Sequence, residues 1–154
     1  MITFEKSVGA VIFRRTKYGI KFLLLDHGGN YWNYPKGHVE KEETEEETLK
    51  REVREETGLH QLKIFSDFRH KNHYFYRAKR QEKIKRKKIG RAINIIKTVV
   101  YYLVEARDNA VKLSDEHVGY TWLDYKKTLK KVTYKSSRDI LSKAWKILEE
   151  NKQT

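Results

Sequence analysis

The first apolar runs along the chain are short: Val8 to Phe13 and Lys21 to Leu25, parted by the glycine-containing segment Thr16-Lys17-Tyr18-Gly19. Runs of that length around a turn predict two neighbouring strands, most simply a hairpin. A loop, His27-Gly28-Gly29-Asn30, follows, and then the sole proline, Pro35, which sets an extended or turning backbone before Lys36-Gly37. The pattern then changes period. Residues Glu43 to Thr57 are rich in Glu, Lys, Leu and Arg, with Leu49 and Val53 four apart, which predicts an amphipathic helix opened by Thr44 or Glu43. Gly58 stands where a helix-terminating glycine belongs.

Beyond the helix the period of two returns. Leu62–Phe65, His73–Tyr76, Ile93–Glu105 and Tyr120–Leu123 read as strands, and the third, the most β-branched and aromatic, as the central one. Residues 124–131 predict a short helix. Ser136 to Glu150 predicts a final amphipathic helix with Ile140, Leu141, Ala144, Trp145 and Leu148 on one face. Strands on both sides of the first helix and a closing helix predict an α/β fold, a mixed sheet with helices packed on it. The 154 residues fit one domain, 1–154.

Composition narrows the chemistry. Without cysteine there is no disulfide and no thiolate metal site, so any ion must be held by oxygen or imidazole, which favours magnesium or manganese. No targeting or membrane segment is visible, and a cytoplasmic protein, monomeric by default, is expected. The formal net charge of +13 points to an anionic partner. Much of it lies between Arg77 and Arg91, where nine Lys or Arg accompany one acid, Glu82. This basic stretch, part of a 77–96 connection between strands, reads as an extended loop or hairpin tip. It carries no aromatic residue, so contact there with RNA or polyphosphate would be independent of base sequence.

The predicted first helix holds the informative chemistry. Glu52, Glu55 and Glu56 stand at i, i+3 and i+4 and share a face. Like charges at that spacing oppose helix formation by roughly 0.2–0.5 kcal/mol per pair. They also sit near the C-terminal end, where the helix dipole disfavours anions. A solvated face paired with Lys50, Arg51 and Arg54 is one explanation; a divalent cation, which reverses the sign of the arrangement, is the other.

The spacing decides between them. Gly37, Glu43, Arg51, Glu52, Val53, Glu55, Glu56, Gly58 and Leu59 meet every fixed position of G-x5-E-x7-R-E-U-x-E-E-x-G-U, where U is aliphatic. A chance match to its seven invariant letters is on the order of one in a million. The segment resembles the Nudix hydrolases. That resemblance implies an α/β/α sandwich and a magnesium-dependent pyrophosphohydrolase. It also implies metal ligation by the Gly37 carbonyl, Glu52 and Glu56, with Glu55 nearby, and a salt bridge between Arg51 and Glu43 that holds the helix geometry. The general base is left between Glu52 and a downstream carboxylate.

The pieces VGAVIFRR, IKFLLLD, YWNYPKGHVE, VVYYLVE and LSDEHVGYTWL are similar to the asymmetric diadenosine tetraphosphate hydrolases, which release ATP and AMP. On that resemblance Lys36, Lys79 and Lys97 contact the phosphate chain and Tyr76 and Tyr134 stack on adenine. Glu116 is then the downstream carboxylate, a metal ligand or base, and His38 a polar support. Tyr74 and Tyr76 are two apart in a strand, with one of them expected in the core; His27 and Tyr31 lie near the site. The other readings are an RNA 5′-end pyrophosphohydrolase gripping its substrate with the basic arm, a diphosphoinositol polyphosphate phosphatase, and a non-catalytic nucleic-acid-binding module.

Overall fold

The computed structural model describes residues 1–152. In chain order its elements are β1 (Ile2–Thr16), β2 (Gly19–Asp26), β3 (Trp32–Asn33), β4 (Lys36–His38), α1 (Glu45–Thr57), β5 (Leu62–Arg77), α2 (Arg80–Lys88), β6 (Asn94–Ala106), β7 (Gly119–Leu123), α3 (Tyr125–Lys131) and α4 (Lys135–Lys152). The predicted hairpin is present: β1 and β2 are antiparallel, closing at Thr16 opposite Gly19. The sheet order is β3-β2-β1-β6-β5, with β4 paired to β1 and β7 to β2. The long β1–β6 pairing, Ile2 opposite Asn94 through Phe13 opposite Glu105, is parallel, so the sheet is mixed. The β-branched strand β6 is interior, between β1 and β5.

Alternation along β1 divides the core. Val8, Ala10 and Ile12 meet Leu49 and Val53 of α1 on one face. Val11 and Phe13 meet Ile140, Leu141, Ala144 and Leu148 of α4 on the other. Each such aliphatic side chain, fully buried, contributes about 1.5–3 kcal/mol, so a few suffice to fix each helix. The result is the α/β/α sandwich. No helix among the described residues is long and apolar enough to cross a membrane.

Two local expectations are revised, and two short strands are added. The two strands expected at Leu62–Phe65 and His73–Tyr76 are one strand, β5, which follows β6 throughout and absorbs a register shift between Phe65 and Arg69. Such a bulge interrupts the apolar alternation by which strands are read. The basic stretch is not an extended loop: Arg80–Lys88 is helical, as suits a run of Arg, Gln, Glu and Lys. Arg86, buried, holds that helix to β1 through Glu5 and pairs with Glu82 one turn away within the helix itself. Finally, β3 and β4, two and three residues long, fall below the length at which a period shows.

Candidate active site

The first helix begins in a capping box: the Thr44 hydroxyl accepts from the Glu47 amide at 3.1 Å, and the Glu47 carboxylate from the Thr44 amide at 3.3 Å. It ends at Gly58, at φ 74°, a left-handed conformation that only glycine adopts without strain. With Leu49 and Val53 turned into the sheet, the face bearing Glu52 and Glu56 meets β4. That strand is fixed by β1, with Gly37 opposite Val8.

Gly37 leaves space for a carboxylate. A Cβ at this position would lie 1.9 Å from Glu52 Cδ, so no larger residue fits while Glu52 stays in place. The Lys36 amide donates to Glu56 Oε2 at 3.1 Å. Arg51 ties these parts together. Its Nε donates to Glu43 at 2.7 Å and its Nη2 to Glu43 at 3.0 Å, a two-pronged pair; Nη1 reaches Glu52 at 2.7 Å and Glu55 at 3.2 Å, and Nη2 the His38 carbonyl at 2.9 Å. Two-pronged pairs of this kind set orientation as well as energy. Arg51 holds the Glu43 carboxyl down to about 2.

The carboxylates on the cavity side are perturbed the other way. Glu56 is only 6% exposed, and burial, with Glu52 and Glu116 adding to it, pushes its carboxyl up to about 8. Burial also raises Glu52. Burial lowers the ammonium of Lys36, and that of Lys97, to which Lys36 adds repulsion. These groups line one cavity of about 580 Å³ together with Gly37, Glu55 and Glu116. Among the described residues no three His, Asp or Glu side chains converge as a preformed ion cage; Arg51 stands between Glu52 and Glu55. A buried carboxyl beside two other acids is a site of unbalanced negative potential, and its all-oxygen donors suit a hard cation.

A second cavity, about 590 Å³, adjoins the first and shares Lys36 with it. Its walls are Tyr31, Tyr74, Tyr101, Tyr134 and the first turn of α4. The Tyr31 and Tyr134 rings are 5.2 Å apart, and Lys36 Nζ lies 5.9 Å from the Tyr31 ring and 5.7 Å from that of Tyr74. The floor is cross-linked: Ser137 Oγ donates to Asn33 Oδ1 at 2.9 Å, and Asn33 Nδ2 to the Tyr31 hydroxyl at 3.0 Å. Behind Glu56 stand two imidazoles. His117 Nε2 is 3.9 Å from Glu56 Oε1, and the His27 and His117 rings are 4.7 Å apart. Burial, then the neighbouring His117, lowers His27 to about 4.

The fold therefore gathers Gly37, His38, Arg51, Glu52, Glu55, Glu56, Glu116, Lys36 and Lys97 around one cavity, with Glu43 behind Arg51. Tyr134 reaches the aromatic cavity. Two expected substrate contacts fall elsewhere. Tyr76 lies outside both linings and donates to Glu5 Oε1 at 3.1 Å, while Lys79 is the residue before α2, on its exposed side. Nor is either of Tyr74 and Tyr76 core: two apart in a strand, they share one face, with rings 6.2 Å apart, and Tyr74 is the one in the cavity wall. Ser7, fully buried with its hydroxyl unpartnered, also lines the acidic cavity. Its only signal in the sequence was a polar residue at the start of an apolar run.

Residues 3–144 match the NUDIX domain, and the chain belongs to that family. Within it, the chain is 34% identical to the asymmetrical bis(5′-nucleosyl)-tetraphosphatase of Mus musculus over 155 residues, covering 93% of this chain and 95% of that protein. It is 37% identical to the Rattus norvegicus protein of the same name over 130 residues, 77% and 78% of the two chains. In structure it resembles a C. elegans Ap4A hydrolase binary complex, with a TM-score of 0.75 and 30% identity over 95% of this chain and 98% of that one.

Proposed function

We propose that this protein is a magnesium-dependent hydrolase of dinucleoside polyphosphates, which splits diadenosine tetraphosphate into ATP and AMP. The observation that carries the reading is the pair of cavities joined at Lys36, one walled by tyrosines and one by carboxylates. An adenine offers a flat ring to the first, and a phosphate chain leaving it passes Lys36 and Lys97 on its way to the second. The relatives named for this activity, matched over nearly the whole chain, support the same assignment.

Glu52, Glu56 and the Gly37 carbonyl, with Glu55 and Glu116 beside them, would hold the magnesium; manganese presents the same hard-acid chemistry. The ion, when bound, neutralises charge on the phosphate oxygens and lowers the pKa of a coordinated water. The chain's own groups do the rest. Lys36 and Lys97 align the phosphates, and Arg51 fixes Glu52 through the Glu43 pair. Tyr31, Tyr74 and Tyr134 hold the base. Glu116 takes the proton of the attacking water: the Glu52 carboxylate is already engaged by Arg51 at 2.7 Å, while no ion pair occupies Glu116 among the described residues.

The test is a panel of diadenosine tetraphosphate, nucleoside triphosphates, diphosphoinositol polyphosphate and 5′-triphosphate RNA with magnesium, with products read by mass in oxygen-18 water. The label is expected in one of the two mononucleotide products of the dinucleotide. Turnover of triphosphate RNA far above that of the dinucleotide would overturn the substrate assignment.

A further inference from the structure

The segment from Arg77 to Arg91 takes no part in the chemistry above, yet it carries much of the protein's positive charge. Of its nine cations, Arg86 is buried and Lys83 half-buried; the other seven are exposed. The one acid in the stretch, Glu82, is taken by Arg86 at 3.0 Å. Among the described residues, none of the seven exposed cations lies within ion-pair distance of a carboxylate. Within α2 the like charges also crowd at helical spacings: Lys83 with Lys87, Arg80 with Lys83, Lys85 with Lys88. Each such pair opposes the helix by roughly 0.2–0.5 kcal/mol. The helix is nonetheless built and anchored. Arg86 donates to Glu5 Oε2 at 3.1 Å and to the Ala92 carbonyl at 3.3 Å.

The anchor fixes where the charge sits. Glu5 also accepts from Tyr76, which stands next to Tyr74 of the aromatic cavity, and Glu5 lies opposite Lys97 of the acidic one. A cationic helix is thus joined through Glu5 and Tyr76 to the wall of the aromatic cavity, whose tyrosines are open to solvent: Tyr74 is 40% exposed and Tyr134 54%.

We infer that α2 and its flanks form a docking surface for single-stranded nucleic acid, held through its phosphates, with unpaired bases reaching the tyrosines at the rim. A phosphodiester backbone supplies the repeating negative charge that a row of unpaired cations lacks, and aromatic faces beside such a row suit bases that are not already paired. Recognition through phosphates carries no sequence preference and is steeply salt-dependent.

The test uses the full chain and a fluorescent 20-nucleotide oligouridylate with a 5′-hydroxyl. This probe has no anhydride, so the result does not depend on the hydrolytic reading. Binding is measured by anisotropy over a range of salt, for the wild type and for the variant K85Q/K87Q/K88Q, whose side chains are exposed and outside both cavities. Log affinity should fall with log salt by about 0.7 for each phosphate engaged, and the variant's slope should be shallower by about 2. Its affinity near 0.1 M salt should drop roughly tenfold to a hundredfold, with diadenosine tetraphosphate hydrolysis unchanged. Oligothymidylate should bind like oligouridylate, and a duplex of the same length more weakly. No binding at 50 mM salt, or a slope the triple variant leaves unaltered, would overturn the proposal. So would tighter association with phosphatidylserine vesicles, which the exposed Ile84 and Ile89 would explain instead.

Discussion

Replacing Glu56 by Gln should make the protein more stable, while stopping hydrolysis, and the gain should grow with pH. Glu56 is 6% exposed, and its carboxyl rises from an ordinary 4.5 to about 8. A carboxyl raised on folding stabilises the native state fully below the unfolded value, because both states are then protonated or the native one holds its proton more tightly. As pH climbs from about 4.5 to 8 the unfolded chain has already released that proton, and native stability falls. Above pH 8 the native state carries a buried, poorly compensated charge. The full displacement is worth on the order of 5 kcal/mol. Relaxation around the charge reduces this, so roughly 2–4 kcal/mol is expected. For a chain of this size that corresponds to roughly 5–15 °C in melting temperature. The assay is thermal unfolding of both proteins in a chelator at pH 5, 7 and 9. The difference between them should be small at pH 5 and full at pH 9. His27, lowered to about 4, gives an opposite trend in both proteins and cancels in the difference. A difference that is flat with pH, or a variant less stable at pH 9, would refute the placement of a strained carboxyl at this position. Millimolar magnesium should then stabilise the wild type and leave the variant nearly unmoved.

Other substitutions probe the remaining parts. Gly37→Ala should preserve the fold by circular dichroism but lower kcat at least a hundredfold, since its Cβ falls 1.9 Å from Glu52 Cδ; near-normal turnover would show that Glu52 is dispensable there. Arg51→Lys keeps the charge but loses the two-pronged contact with Glu43, and should cost about 1–3 kcal/mol in urea unfolding together with a fall in kcat. Tyr74→Ala should raise KM for diadenosine tetraphosphate about 5- to 100-fold, the worth of one base stack, whereas Tyr76→Ala should change it less; the reverse order would return adenine to Tyr76. Glu116→Gln should lower kcat with little effect on KM, and a pH–rate profile of unchanged height would remove it as the base.

The acidic half of the site was legible because it is written in one continuous segment. Helix periodicity places Glu52 and Glu56 on one face, and the glycines at 37 and 58 mark where the backbone must come close or turn left-handed. The aromatic half was legible only in part: the resemblance pointed to Tyr134, and Tyr31 was read as near the site, but Tyr74 was not singled out. Tyr31, Tyr74 and Tyr134 come from a loop, a strand and the approach to α4; the sheet order β3-β2-β1-β6-β5 and the hydrogen bonds between Trp32 and Thr133 bring them together. Sequence similarity favoured Tyr76 over Tyr74, but both share a face and only the end of the sheet separates them. The helix in the basic stretch was hidden by its charge. Its composition suits a helix, but its anchor is Glu5, 81 residues away from Arg86.

The pairing of β4 with β1 has a consequence for how the site is made. Three backbone partners, Ser7 with His38, Val8 with Gly37 and Gly9 with Lys36, decide which residue faces Glu52. Were that alignment displaced by one position, a histidine or lysine side chain would be driven into the slot the carboxylate occupies, and the contacts of Arg51 with Glu52 and with the His38 carbonyl would be lost with it. Catalytic competence is therefore a property of strand alignment, established only when the start of the chain has found its place in the sheet. Sheet mutations far from any substrate, such as those loosening the amino-terminal half of β1, should silence the enzyme before they unfold it.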